Sequence, residues 1–269
     1  MPRRFEGCWE RIHRAQAHSE AFSKIWNDLC EGDTYRAVVR VDDDGAGRIW
    51  VEPMHLSGFP PIAALELGEM LYQLRAALDG SIYEAAILDS GQNPPPNENS
   101  LAFPICTTPE EFNKAAGKIR PLADKRRTFI KSVQPYNAPN LAPELVVLNC
   151  NRSVGILSDW ARKDRHRKLH VVGSWASRAH PKLRLPAGVS LVSMTVTGVG
   201  FLEHESQIAA FRLDGWKPGM NIEANPDLMI DVAVDEVPPP CSDNDILGNR
   251  LRSMLLNTKF VVNWLEESF

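Results

Sequence analysis

The chain has few of the spacings that mark metal, redox or nucleotide chemistry. Its five cysteines, Cys8, Cys30, Cys106, Cys150 and Cys241, are odd in number, widely spaced and never arranged as Cys-x-x-Cys. Neither a disulfide framework nor a zinc site is expected, and the thiols read as buried or incidental in a reducing compartment. No run approaches the ~20 apolar residues of a membrane-spanning helix. The start, Met1-Pro2-Arg3-Arg4-Phe5-Glu6, is not followed by the apolar stretch of an export signal. A cytoplasmic protein without membrane association is therefore expected. Charge of one sign is not in excess. The net charge is −4 and the pI about 6.0, which argues against a generally basic nucleic-acid-binding surface but leaves room for a local basic patch. Gly-x-Ser-x-Gly, His-Glu-x-x-His and the phosphate-binding loop are missing, and no internal repeat is found. Gly198-Val199-Gly200 lacks the third glycine and the strand-to-helix setting of a dinucleotide loop, and reads as a strand turn.

What remains is ordinary globular composition, 43% hydrophobic and 24% charged over 269 residues. That length fits one large domain or two joined ones. Trp9, Ile12, Phe22, Ile25, Trp26 and Leu29 recur at helical spacing over 8–30. Tyr35 to Val41 and Arg48 to Val51 alternate around Asp42-Asp43-Asp44-Gly45-Ala46-Gly47, the pattern of a hairpin with an acidic turn. The three aspartates lack the spacing and distal Glu of a calcium loop. The strongest helix runs from Pro61 to about Leu88, with Leu67, Leu71, Leu74, Leu78, Ile82 and Ala85 as one apolar stripe. Thr108-Pro109-Glu110-Glu111 is a capping box that starts another helix. Further helices are expected over 121–133, from Pro143, and over 154–172. Strands are expected over 189–197, 208–213 and 228–237, and a last amphipathic helix over 243–266. The class is α+β: a helical core with an N-terminal β-hairpin, then an antiparallel sheet and a C-terminal helix. The natural division falls between 1–173 and 174–269, unless the two parts form one integrated domain.

Two segments place charge inside stretches that otherwise read as buried helix. Arg75 and Asp79 are four apart and can pair along one helix face; Asp164 and Arg167 are three apart and can do the same. Buried charge costs several kcal/mol per ion unless it is paired, so either a structural network or a site must compensate it. A histidine ordinarily titrates near ~6.5, which makes His166 the group of this segment suited to proton transfer. Arg162, Lys163, Arg165, Arg167 and Lys168 surround it, which also describes a solvated basic helix end. Glu69, Asp79, Asp164 and His166 are metal-donor types, but no spacing fixes a geometry, so no metal and no cofactor are expected.

These segments resemble a widespread family of bacterial proteins of unassigned activity. Leu67-Gly68-Glu69-Met70-Leu71-Tyr72-Gln73-Leu74-Arg75-Ala76-Ala77-Leu78-Asp79 is similar to its LR-ALDH helix. Phe103-Pro104-Ile105, Gln134-Pro135-Tyr136 and Asp164-Arg165-His166-Arg167 are similar to its FPI, QPY and DKHR signatures, in the same order. The family often has histidine where this chain has Gly80, and the Arg-x4-His arrangement of such relatives is similar to helical ribonucleases of the HEPN class. The resemblance implies relatives but no established activity. If the missing histidine is the catalytic base, this chain is impaired as a nuclease.

The functional expectation is a non-catalytic binding or scaffold protein. Arg75, Asp79, Asp164 and Arg167 would form a polar centre able to take an anionic ligand such as a nucleotide or RNA phosphate. The alternative is a metal-independent, HEPN-like ribonuclease using His166 as acid–base. A homo-oligomer is compatible with either.

Overall fold

The computed structural model describes residues 4–30, 35–53, 60–138, 149–166, 171–197, 200–201, 206–225, 227–234 and 247–267. The chain is α+β and forms two compact units that exchange chain several times. The first comprises Met1–Lys24, Pro61–His170 and Pro240–Phe269; the second, Ile25–Pro60 and Val171–Pro239.

The first unit is helical: α1 (Glu6–Cys30, within this unit as far as Lys24), α2 (Pro61–Ser90), α3 (Pro109–Ala115), α4 (Asp124–Ser132), α5 (Cys150–His166) and α6 (Leu247–Glu267). The stripe Leu67, Leu71, Leu74, Leu78, Ile82 and Ala85 is fully buried, and Ala63, Met70 and Ala77 bury a second face of the same helix. A helix apolar on more than one face belongs in the middle of a bundle, and α2 packs against both α5 and α6. On α1, Phe5, Cys8, Ile12, Ala15 and Phe22 are buried. Arg11 donates to Gln73 at 3.2 Å and His18 lies 2.7 Å from Glu66, so α1 runs antiparallel to α2. Between α5 and α6, the hydroxyls of Ser153 and Ser253 are 2.6 Å apart and Asn257 donates to both.

The capping box is present. Glu111 N–H donates to Thr108 Oγ1 at 3.2 Å. The Glu111 carboxylate accepts from the N–H and hydroxyl of Thr107 at 2.8 and 2.9 Å. At the far end of α2, Asp89 accepts from the Ala123 N–H at 2.7 Å and pairs with Arg126, whose Nε donates to the Leu265 carbonyl at 3.1 Å. One ion pair thus ties together the ends of α2, α4 and α6 and satisfies helix-terminal groups that would otherwise lack partners.

The second unit contains β1 (Tyr35–Val41), β2 (Ala46–Pro53), β3 (Val171–Ala179), β4 (Lys182–Arg184), β5 (Ser190–Val196), β6 (Gly200–Phe201), β7 (Ser206–Asp214), β8 (Glu223–Asn225) and β9 (Leu228–Val234). They form an antiparallel sheet of order β1-β2-β7-β5, a sheet of order β6-β3-β9, and a β4-β8 pair. Its core is Ile49, Val51, Ile208, Ala209, Phe211 and Leu213, with Leu183 and Ala224 packed against it. The acidic turn works through its side chains and its glycine. Asp44 accepts from the Ala46 N–H, Gly45 takes φ +82°, and a Cβ there would lie 2.7 Å from the Leu213 carbonyl. Asp42 pairs with Arg48 and Asp44 with Arg212, so arginines already answer two of the three aspartates.

Two expectations change. The helix expected over 154–172 starts at Cys150 and ends at His166, and Val171 and Val172 enter β3, where they pair with Val234 and Ala233. These β-branched residues find ladder partners that no local pattern announces. The division is not a single cut near 173. The hairpin joins the sheet unit because β2 pairs with β7, and the C-terminal helix joins the helical unit by packing on α2 and α5. The helix expected from Pro143, and residues 235–237 and 243–246 of later elements, lie outside the described residues.

The Arg126 and Asp89 side chains are only 4% and 12% exposed. Removing one partner of a buried pair strands the other charge, which costs about 3–5 kcal/mol. Asp89→Ala is expected to lower unfolding free energy by about that amount in a urea titration, and the double variant Asp89→Leu/Arg126→Met by much less.

Candidate functional site

Residues 101–106 are neither helix nor strand, yet Phe103 is fully buried and Cys106 nearly so. Buried backbone groups outside secondary structure need side-chain partners. Arg75 Nη2 donates to Asp79 Oδ1 at 2.9 Å and to the Phe103 carbonyl at 2.6 Å, and Asp79 Oδ1 accepts from the Phe103 N–H at 2.9 Å. The pair thus meets both polar groups of one residue, as a neighbouring strand would. Gln134 continues the arrangement. Fully buried, it accepts from the Cys106 N–H and donates to the Pro104 and Ile130 carbonyls, all at 2.9 Å. Asn151 of α5 then donates to the Ser132 and Gln134 carbonyls at 2.7 and 2.8 Å, and Gly155 faces the Pro135 ring with room for no more than a tight contact.

Of the residues expected to form a polar centre, Arg75 and Asp79 therefore meet on Phe103. Asp164, on α5, meets α2 elsewhere. Its carboxylate occupies the space beside Gly68, within 2.5–2.9 Å of where a Cβ would stand. Gly68 and Arg75 are seven residues apart, so they share a helix face at about 10.5 Å along the axis. The side chain of His166, and Arg167 entirely, lie outside the described residues. Arg162 and Lys163 both engage Asp159, at 2.8 and 2.9 Å. Burial pushes the Asp159 carboxyl up, but hydrogen bonds from Lys163 and Arg162 outweigh this and hold it below the ordinary carboxylate value.

Burial pushes the Cys8 thiol up to about 12, with Glu84 adding to the effect, and the Cys150 thiol up to about 11. Burial likewise raises Cys106. All three are free thiols, protonated at neutral pH and poor as nucleophiles or metal ligands. Among the described residues no group of three or more His, Cys, Asp or Glu could hold a metal ion, and no helix is long and apolar enough to cross a membrane.

Two features escape a sequence reading. Gln134 sits within a motif already noted, but its reach to 104 and 106 is tertiary. His18, held by Glu66 at 2.7 Å, is 48 residues from its partner, a separation with no local pattern to read. No family model, curated protein or solved structure matches the chain.

Two outcomes follow from this geometry. Asp79 is 38% exposed, so Asp79→Ala should cost about 1–3 kcal/mol, the range for stranding a hydrogen-bonding partner, rather than the larger penalty of a fully buried ion. Hydrogen exchange should report faster opening at the Phe103 amide. For Asp159 the folded pKa lies below the unfolded one. The stability it contributes is thus fully present above the unfolded value near 3.8 and is lost as pH falls through the folded value. Asp159→Asn should flatten the acid limb of a stability–pH curve in that window and leave neutral pH nearly unchanged apart from the lost ion pairs.

Proposed function

We propose that this chain is a non-catalytic binding or scaffold protein. The observation that carries the reading is the use of Arg75 and Asp79. Each is bonded to the other and to the Phe103 backbone, so the charges that looked like a site act as a clamp. The class of ligand that suits the remaining chemistry is an anion such as a nucleotide or RNA phosphate. Arg165, Arg167 and Lys168 follow closely in the sequence at the end of α5, beyond the Arg162 and Lys163 that pair with Asp159, and guanidinium groups match phosphate geometry.

The ribonuclease alternative rests on His166, and the surroundings of Gly80 weaken it. A Cβ at Gly80 would stand 3.2 Å from the Cys8 sulfur, so the position where the resembling family often has histidine faces, in this chain, a buried thiol held protonated.

The purified chain is expected to bind a fluorescently labelled single-stranded RNA in low salt, measured by anisotropy, and to leave it intact without added metal. Arg165→Ala/Arg167→Ala should weaken binding several-fold with an unchanged melting temperature. Cleavage that disappears in His166→Ala would move the protein into the nuclease class. Absence of binding to RNA and to nucleotides would leave the scaffold reading without an anionic ligand.

A further inference from the structure

We infer that β5 is an interface through which two copies of this chain join their sheets edge to edge. In the order β1-β2-β7-β5, β5 is an edge strand with β7 as its partner among the described strands. An edge strand presents a row of unpaired N–H and C=O groups, and proteins commonly guard such edges with charge or proline. The opposite edge, β1, carries Arg36 and Arg40. β5 carries neither device, and from Leu185 to Leu202 the chain has no charged residue at all, although a quarter of the whole chain is charged. One guard is present at the strand's start: the register shift between Leu191 and Ser193 sets Val192 apart. It leaves Ser193 to Val196 as a regular edge.

The side chains of β5 complete the case. Leu191, Met194 and Val196 pair with Leu213, Phe211 and Ala209, and so lie on the core face. Ser193 and Thr195 pair with Arg212 and Ala210 on the other face. Core-facing edge residues should be covered, but Leu191 and Val196 are 43% and 46% exposed, and Val192 is 62% exposed. Among the described residues, apolar side chains are therefore left exposed along this edge.

A second copy answers both deficits. Antiparallel pairing about a two-fold axis through Met194 sets Ser193 of each copy against Thr195 of the other and brings Val192 towards Val196. Every contact then joins like with like, hydroxyl to hydroxyl and aliphatic to aliphatic, and no charge opposes the approach. The two-fold makes the contact self-complementary and closed, giving an eight-stranded sheet rather than a fibre.

Sedimentation equilibrium of the full chain should give a mass of twice 30.1 kDa. Ser193 and Thr195 are exposed, so Ser193→Lys/Thr195→Lys should keep the circular dichroism spectrum and melting profile of the folded chain. It would place like charges opposite each other twice and raise the dimer dissociation constant on the order of tenfold or more. Ser193→Lys/Thr195→Asp would instead face each introduced lysine with an introduced aspartate of the other copy, and should restore association. A chain that is monomeric at all concentrations overturns the proposal, whether the β5 amides then exchange freely or are covered by another part of the chain. A dimer indifferent to the double lysine change overturns it as well. Association lost in both double variants would refute the two-fold at Met194.

Discussion

The helical unit depends on satisfying an extended segment that has no strand beside it. Phe103 is buried as completely as any residue of α2. Burying its ring forces its peptide groups away from water, where an unmet donor or acceptor costs about 1–3 kcal/mol. Arg75 and Asp79 meet the groups of Phe103, and Gln134 those of Pro104 and Cys106. The Arg75–Asp79 bond holds the two side chains in the geometry that reads one residue's N–H and C=O together. The segment behaves as a single strand whose neighbours are side chains.

This constraint accounts for the motifs. The LR-ALD helix supplies the clamp, the FPI segment is what it holds, and the QPY residue Gln134 holds the other end. The fourth motif meets the first where the Asp164 carboxylate fills the space left by Gly68. Four short signatures, separated by 24 to 96 positions in the contacts they make, thus interlock within one helical unit. Polar networks of this kind favour one arrangement of helices over others because any slip leaves several groups unmet at once. The buried pair of Arg126 and Asp89 does the same at the far end of α2, where three helix ends meet.

Much of the local structure was legible. The α2 stripe is buried residue for residue, Thr108 caps α3 as its box implies, and the acidic turn carries Gly45 where only positive φ will close the hairpin. Each of these is decided within a few residues. Legibility fails at β3, where Val171 and Val172 follow a helix in sequence but answer to β9, and at Asp89, whose partners lie 34 and 37 residues away. The candidate site divides in the same way. That Arg75 and Asp79 would pair was readable from their spacing of four; that they would share the backbone of Phe103 was not.

By itself, the sequence determined the class, the principal helices and hairpin, and which charges needed partners. Periodicity, capping and turn chemistry act through neighbours along the chain, and burial of an ion demands compensation wherever it occurs. Only the tertiary structure decided who those partners are. It also decided that the hairpin belongs with β7 and that the last helix belongs with α2 and α5. Hydrogen bonds and ladder register over long separations have no period to read, because they are fixed by where the packed faces bring the backbone, not by the order of residues that precede them.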